Sequence, residues 1–423
     1  MEYSVLQSIR TPFISLIFIT TLLACQPKQK SLADWSISLK EDVIFLASDE
    51  LEGRKTGTES EQKAAQFIVE QFTSIGLNPS GTDGFYQSYE VTPSQNPHEL
   101  PKMGAGGDSL TIQSNNVIGL INNPGDGIII VGAHYDHLGY GGVSSLFRGD
   151  SAQVHNGADD NASGVAVMIQ LAERLKARKM TRDVLFIAFS GEEEGLWGSN
   201  YFSKNPTIDL KNVTAMINLD MVGRLDEQRG LAIHGVGTSP SWPDIINGAN
   251  SDSLQLILRE SGVGPSDHTS FYLQDLPVLH FFTGQHTDYH KPGDDADKLN
   301  YEGMVKIAEM IERITTSLDE SEKLAFTRTK DESSETPRFT VSLGVVPDYL
   351  FSGKGMRIDG ISEGKPAQAA GLQKGDIVVK LGETEVTDMM TYMKALSTFE
   401  KGNETEVTVK RGDQELILPI KFF

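Results

Sequence analysis

Cysteine is nearly absent: Cys25 is the only one in the chain, so no internal disulfide can form. Cationic side chains are in the minority. Lys and Arg number 37 against 58 Asp and Glu, giving a net charge of −21, which excludes the phosphate-neutralising surface that nucleic-acid binding requires. Long apolar runs are scarce too. Thr11 to Ala24 is the one extended stretch, shorter than the roughly 20 residues a spanning helix needs but right for a signal-peptide core. No internal repeat is visible, so a solenoid is excluded. What remains is ordinary: 423 residues, 39% hydrophobic and 22% charged, enough for one large domain and a small one.

Four short apolar runs, rich in branched residues, end in imidazoles or carboxylates. Ile128 to Ala133 leads to His134 and Asp136; Val184 to Phe189 leads to Glu192, Glu193 and Glu194. Val213 to Leu219 leads to Asp220, and Val278 to Phe282 precedes Asp288-Tyr289-His290. Runs of this kind read as buried parallel strands, and open α/β sheets bind ligands beyond the carboxyl ends of their strands. Between the first two runs lies His155-Asn156-Gly157-Ala158-Asp159-Asp160-Asn161-Ala162-Ser163-Gly164, an Asp pair among small residues. One sheet edge is therefore expected to gather His134, Asp159, Glu193, Asp220 and His290, a set suited to zinc or a similar divalent ion.

A catalytic zinc takes about three protein ligands plus water, so five side chains serve two ions if one is shared. Asp159, in the most constrained loop, is the expected bridge. Glu192 is left unbound beside the ligand Glu193. From there it faces a water held between the ions, as a general base does.

Helices fit Ile37 to Leu46, Val165 to Leu175, Leu196 to Phe202, Ser253 to Glu260 and Tyr301 to Leu318. Another follows Thr58-Glu59-Ser60-Glu61, which has capping-box spacing, and ends at Gly76. Strands fit Tyr86 to Val91, Asn116 to Ile121 and Leu231 to His234, and Pro93 to Gly107 reads as a surface loop. The alternation implies an α/β fold with a mostly parallel sheet covered on both faces. Trp197 and Phe202 read as core. His137, His155, His268 and His286 read as rim or supporting groups, and His98, His234 and His280 as structural or surface residues.

Taken together and in order, Gly132-Ala133-His134-Tyr135-Asp136, the Asn156–Gly164 segment, Glu192-Glu193-Glu194-Gly195-Leu196, Asn218-Leu219-Asp220-Met221 and Asp288-Tyr289-His290-Lys291-Pro292 resemble metallopeptidase family 28, the di-zinc aminopeptidases and glutamate carboxypeptidase II. The resemblance spans residues 35–318 and implies a three-layer α/β sandwich. It implies one zinc on His134, Asp159 and Asp220 and another on Asp159, Glu193 and His290. Glu192 is then base and later acid, Asp136 orients His134, and Asp160 follows an unusual peptide bond. Some members place a Tyr before a Ser-Asp-His triplet as oxyanion donor. Here Val263-Gly264-Pro265 precedes Ser266-Asp267-His268, leaving the donor open.

Residues 319–338 are charged and polar and read as a linker. From 339 to 423 the chain resembles a bacterial protease-associated PDZ domain, on Phe351 to Ile358, Gly364 to Leu372 and Lys374 to Val378. That implies a small β-sandwich or barrel that captures a peptide or protein C-terminus by strand addition, with Ser352 to Gly355 as the carboxylate turn and Met356 to Ile358 as the docking edge. At the other end, Leu22-Leu23-Ala24-Cys25 resembles a lipobox. That reading gives a signal peptide over 1–25, a tether over 26–34, and a lipid anchor holding the protein in a bacterial cell envelope, or secretion. The combined expectation is a zinc exopeptidase, most simply an aminopeptidase acting on peptides. A carboxypeptidase or a glutaminyl cyclase on the same scaffold, or a silent protein working through its PDZ domain, is the alternative.

Overall fold

The computed structural model describes residues 1, 30–92, 102–103, 111–142, 144–226, 228–329, 341–348, 351, 353–362 and 364–423. The signal-peptide stretch, Cys25 and most of the Pro93–Gly107 loop lie outside them. The first helix, α1 (Leu32–Leu46), starts earlier than its apolar stripe suggested, because Ser31 and Asp34 form a reciprocal capping box. In α2 (Glu59–Ile75), Thr58 accepts from the Glu61 N–H as its spacing predicts. The Glu61 side chain does not complete the box. It turns inward, accepting from Gly57 N at 2.6 Å and from the hydroxyls of Ser114 and Ser190.

The large sheet contains β1 (Asn78–Pro79), β2 (Tyr86–Thr92), β3 (Lys102–Met103), β4 (Ile112–Ile121), β5 (Ile128–His134), β6 (Asp183–Phe189), β7 (Val213–Leu219), β8 (Leu231–His234), β9 (Leu256–Leu258) and β10 (Val278–Phe282). Its order is β3-β2-β4-β6-β5-β7-β10-β8-β9, with β1 beside β4. The centre, β6-β5-β7-β10, is parallel, while β4 and β8 flank it antiparallel. The intervening helices are α3 (Gly164–Lys176), α4 (Trp197–Lys204), α5 (Trp242–Ala249), α6 (His268–Tyr272) and α7 (Tyr301–Glu320).

Side chains alternate across the sheet. Ile129, Val131, Phe186, Ala215 and Ile217 face one core with α1, α2, α3, α5 and α7, and Ile130, Leu185, Ile187 and Met216 face a second core with α4 and α6. The three-layer sandwich follows from this period of two with both faces apolar. Each fully buried large aliphatic contributes about 1.5–3 kcal/mol, so the central strands are the rigid base of the molecule.

The stretch expected as a helix at Ser253 to Glu260 is instead the parallel edge strand β9, registered Leu231↔Leu256 and Ile233↔Leu258. Leu254, Leu256 and Leu258 repeat every second residue, and pairing with β8 outweighs helical propensity. The charged stretch after α7 is not free chain at its start. Leu324 is buried in the first core, Phe326 packs on the second, and Thr327 N donates to Thr238 O at 2.8 Å.

The C-terminal sheet holds β11 (Val345–Pro347), β12 (Met356–Ile361), β13 (Ile377–Leu381), β14 (Thr384–Glu385), β15 (Glu404–Arg411) and β16 (Gln414–Lys421), all antiparallel, with α8 (Pro366–Ala369) and α9 (Met389–Leu396). Met356 to Ile358 is not a docking edge. β13 occupies one side of it at Met356 and Arg357, and β11 occupies the other, with Pro347 opposite Ile358. The strands at the two ends of the sheet order are β11 and β16. Ser352, expected in the carboxylate turn, lies outside the described residues. Arg229 joins the two parts of the chain, its Nη2 standing 3.2 Å from Asp359 Oδ2 and 3.7 Å from Asp348 Oδ1.

Candidate active site

The carboxyl ends of β5, β6, β7 and β10 converge on one cluster. His134 closes β5, and its Nε2 stands 3.4 Å from both Asp160 Oδ1 and Asp220 Oδ1. His290 Nε2 is 3.2 Å from Asp160 Oδ2 and 3.3 Å from Glu193 Oε2. Two sets of donor atoms, each mutually within 4.8 Å, share one residue: His134, Asp160 and Asp220, and His137, Asp160 and Glu193. The shared carboxylate is Asp160.

Asp159 was expected in that position, and the structure corrects it. Its Oδ1 accepts from Gly223 N at 2.6 Å and from Ser163 Oγ at 3.1 Å, and its Oδ2 faces His286 Nε2 at 3.2 Å. Asp159 fastens the loop and Asp160 faces the cluster. Adjacent residues of a turn point to different sides, so the Asp-Asp pair alone does not reveal which one faces in. The cis peptide bond joins Asp160 to Asn161, one bond later than expected.

Three features hold this loop. Gly157 has φ 58°, and a Cβ there would meet Asp160 O at 2.2 Å and the His137 ring at 2.5 Å. Asp294 Oδ2 accepts from the backbone N–H groups of Asp159 (2.9 Å) and Asp160 (3.0 Å). Arg54, fully buried, donates to Asn156 O at 2.7 Å, Gly157 O at 3.0 Å and Tyr135 O at 2.8 Å, and also to Leu46 O. Burial lowers its guanidinium to about 10 against the pull of Asp136 and Asp160, so it stays charged at neutral pH. Neither Arg54 nor Asp294 was singled out in the sequence. Each is a lone charge in a turn-rich stretch, and only tertiary contact reveals its purpose.

The imidazoles are oriented from behind. His290 Nδ1 lies 2.9 Å from Ser144 O, which leaves Nε2 to face the carboxylates. His134 Nδ1 lies 3.3 Å from Asp136 O and 3.7 Å from Asp136 Oδ1. Asp136 also accepts from Thr56 Oγ1 (2.9 Å) and from Glu192 N (3.1 Å), so one buried carboxylate positions both His134 and the Glu192 backbone. His137, expected at the rim, is inside the cluster, with Nδ1 2.7 Å from Glu193 Oε1.

Burial pushes the Glu192 carboxyl well above its usual range, and Asp220, Asp267 and Glu193 add to the shift against the pull of His134. His134 and His290 are raised despite burial, the first by Glu192 and Asp220, the second to about 9 by Glu193 and Asp160. Such crowding of like charge at a buried point is the donor chemistry of divalent cations, and the residues present fit a pair of them. His134 and Asp220 flank Asp160 on one side, and Glu193 with His290 flanks it on the other.

A profile of peptidase family M28 matches residues 116–315, and one of the PDZ domain matches 326–422. The chain carries an M28 peptidase domain followed by a PDZ domain. Among relatives, an uncharacterized Escherichia coli protein, YfbL, is 29% identical over 46% of this chain and 68% of its own. Aminopeptidase YwaD of Bacillus subtilis is 28% identical over 47% of this chain and 43% of its own. Beyond YfbL, the chain spans about half the length of the curated relatives that head the comparison. The M28 fold recurs in an aminopeptidase from Aneurinibacillus, with TM-score 0.52, 21% identity, 69% of this chain and 95% of that one. It recurs in a zinc aminopeptidase from Bacillus subtilis, with TM-score 0.52, 17% identity, 69% of this chain and 98% of that one. At such identities the likeness speaks for the fold alone.

Proposed function

We propose that this M28 domain is a two-zinc aminopeptidase that hydrolyses the first peptide bond of peptides with a free amino terminus. The observation that carries the reading is the meeting of His134 and Asp220 on one side, and of Glu193 and His290 on the other, at Asp160, with Glu192 on the wall of the same cavity. When bound, the two ions supply the charge that acidifies water and stabilises a developing oxyanion. His134 with Asp220, and Glu193 with His290, hold them, and Asp160 is common to both.

The chain's own groups do the rest. Glu192, raised by burial and by neighbouring carboxylates, takes a proton from the attacking water and returns it to the departing amine. Asp136 keeps His134 and Glu192 in register through contacts of 3.7 Å and 3.1 Å. Tyr289 lines the cavity and stacks on His290 at 3.8 Å. Burial and the surrounding carboxylates keep its phenol protonated, and it takes the role of neutral donor to the oxyanion. The reading includes export and a lipid anchor at Cys25, supported by the mostly apolar run from Thr11 to Ala24 that leads directly into the one cysteine. In this reading the PDZ domain takes an extended peptide.

A panel of aminoacyl amides and amino-blocked peptides, assayed with chelator and after zinc is restored, tests the proposal. Cleavage of free-amino substrates alone, lost with chelator and recovered with zinc, is expected. Equal cleavage of blocked peptides contradicts it, and a metal ratio near one points to the cyclase alternative.

A further inference from the structure

Beside the carboxylates lies a cavity of about 120 Å³ lined also by Met221, His234, Pro265, His280, Phe282 and Gln285. A water takes roughly 10–15 Å³ of such space, so the cavity has room for one amino-acid side chain. His234 and His280 were expected to be structural or surface residues, but both line it. Their rings meet edge-on at 5.4 Å, and His268 stacks flat behind His280 at 4.5 Å.

The wall has buried polar atoms without protein partners: His234 Nε2, Gln285 Oε1 and, behind them, both ring nitrogens of His268. Each such atom costs roughly 1–3 kcal/mol if left unpaired. A pocket evolved for an apolar side chain avoids that cost by using apolar residues. Its retention beside the reaction centre argues for an occupant that pairs with those atoms.

The occupant carries no charge. Among the described residues, no lysine or arginine lines the cavity. Burial lowers His234 to about 4, with the Arg259 charge adding to the effect, and it lowers His268 to about 3 and also His280, where neighbouring imidazoles add to it. Arg259 acts on His234 but does not line the cavity, so a carboxylate beside His234 and His280 meets imidazoles and not a cation. In the two-zinc reading, Asp160, Glu193 and Asp220 at the mouth would be committed to the ions and not to a lysine or arginine.

Resting on the aminopeptidase reading, we infer that His234 and Gln285 select an amino-terminal residue with an uncharged, hydrogen-bonding side chain, an asparagine- or glutamine-type amide above all. The amide donates to Gln285 Oε1 and pairs with His234 Nε2. A site that hydrogen-bonds its substrate rejects the apolar analogue far more strongly than an apolar pocket rejects a polar one.

The test uses the full chain loaded with zinc. Asparaginyl, glutaminyl, leucyl, phenylalanyl, glutamyl and lysyl 4-nitroanilides are compared by kcat/KM. Asparaginamide and leucinamide binding is measured by calorimetry on Glu192→Gln. The expected result is an asparaginyl-to-leucyl ratio of at least about tenfold, the same order in binding, and a ratio at or below one in His234→Phe and Gln285→Leu, with His234→Gln restoring it. A wild type that favours leucine in both assays, or a ratio unmoved by both variants, overturns the inference. Tighter binding of asparaginamide without cleavage of any anilide upholds the pocket and overturns the aminopeptidase reading instead.

Discussion

Glu192 and Glu193 are neighbours in sequence with different surroundings. Glu193 stands 2.7 Å from His137 and 3.3 Å from His290, while the Glu192 backbone is pinned by Asp136 and Glu192 lines the cavity beside the cluster. The division predicts distinct failures. Glu192→Gln should lower turnover by about 10²–10⁴ with metal content unchanged, read by kcat alongside elemental analysis. Loss of metal in that variant would instead make Glu192 a ligand. Arg54 is the other decisive residue. It is buried and serves four carbonyls, and each unmatched buried carbonyl costs about 1–3 kcal/mol. Arg54→Met should therefore destabilise the protein by several kcal/mol in chemical denaturation. Lys cannot substitute, because one ammonium does not reproduce the planar fork. A loss under 1 kcal/mol would show that the loop is held by other means.

At the scale of elements, α2 is fixed to the sheet by a carboxyl that helix capping alone does not explain. Burial, and then the charge of Asp136, lift Glu61 from 4.5 to about 8, against the hydrogen bonds from Ser190, Gly57 and Ser114. The folded state thus holds this proton more tightly than the unfolded chain. Its contribution to stability is complete below about 4.5 and is lost as pH rises through about 8. Glu61→Gln keeps the neutral form, so its melting temperature should fall less than that of the wild type between those limits. Parallel melting curves for the two proteins would contradict the assignment. The central strands were legible in the sequence because β5, β6, β7 and β10 are branched, apolar on both faces and end in ligating side chains. The edge strand β9 was not, since its three residues acquire their form only against β8. At the cluster, His134, Glu193, Asp220 and His290 fell where the strand ends put them. The choice between Asp159 and Asp160 depends on a local turn of the backbone, which carries no periodic signal, and the inward placement of His137 depends on packing. The Glu61 carboxyl was read as a cap for a similar reason: spacing along a helix does not say which way a long side chain turns.

At the scale of the whole molecule, Arg229 links the peptidase and PDZ parts. It pairs with Asp359 and Asp348, and its Nη1 donates to Gln285 O at 3.0 Å. The same residue therefore touches the PDZ sheet and the backbone of Gln285, which lines the cavity beside the cluster. The ion pairs are partly solvated and individually modest, so Arg229→Ala should leave the melting of the peptidase core unchanged within about 1 kcal/mol. It should raise the radius of gyration in solution scattering as the two parts separate. An unchanged scattering profile would mean that other contacts hold them.

The whole account rests on Asp160 as the carboxylate common to two cations and on Asp159 as a fastener of the loop. Elemental analysis of zinc-loaded wild type, Asp160→Asn and Asp159→Asn decides it. Two zinc ions per chain in the wild type, retention of both in Asp159→Asn and loss of at least one in Asp160→Asn are expected. Two ions kept in Asp160→Asn and lost in Asp159→Asn would contradict the assignment.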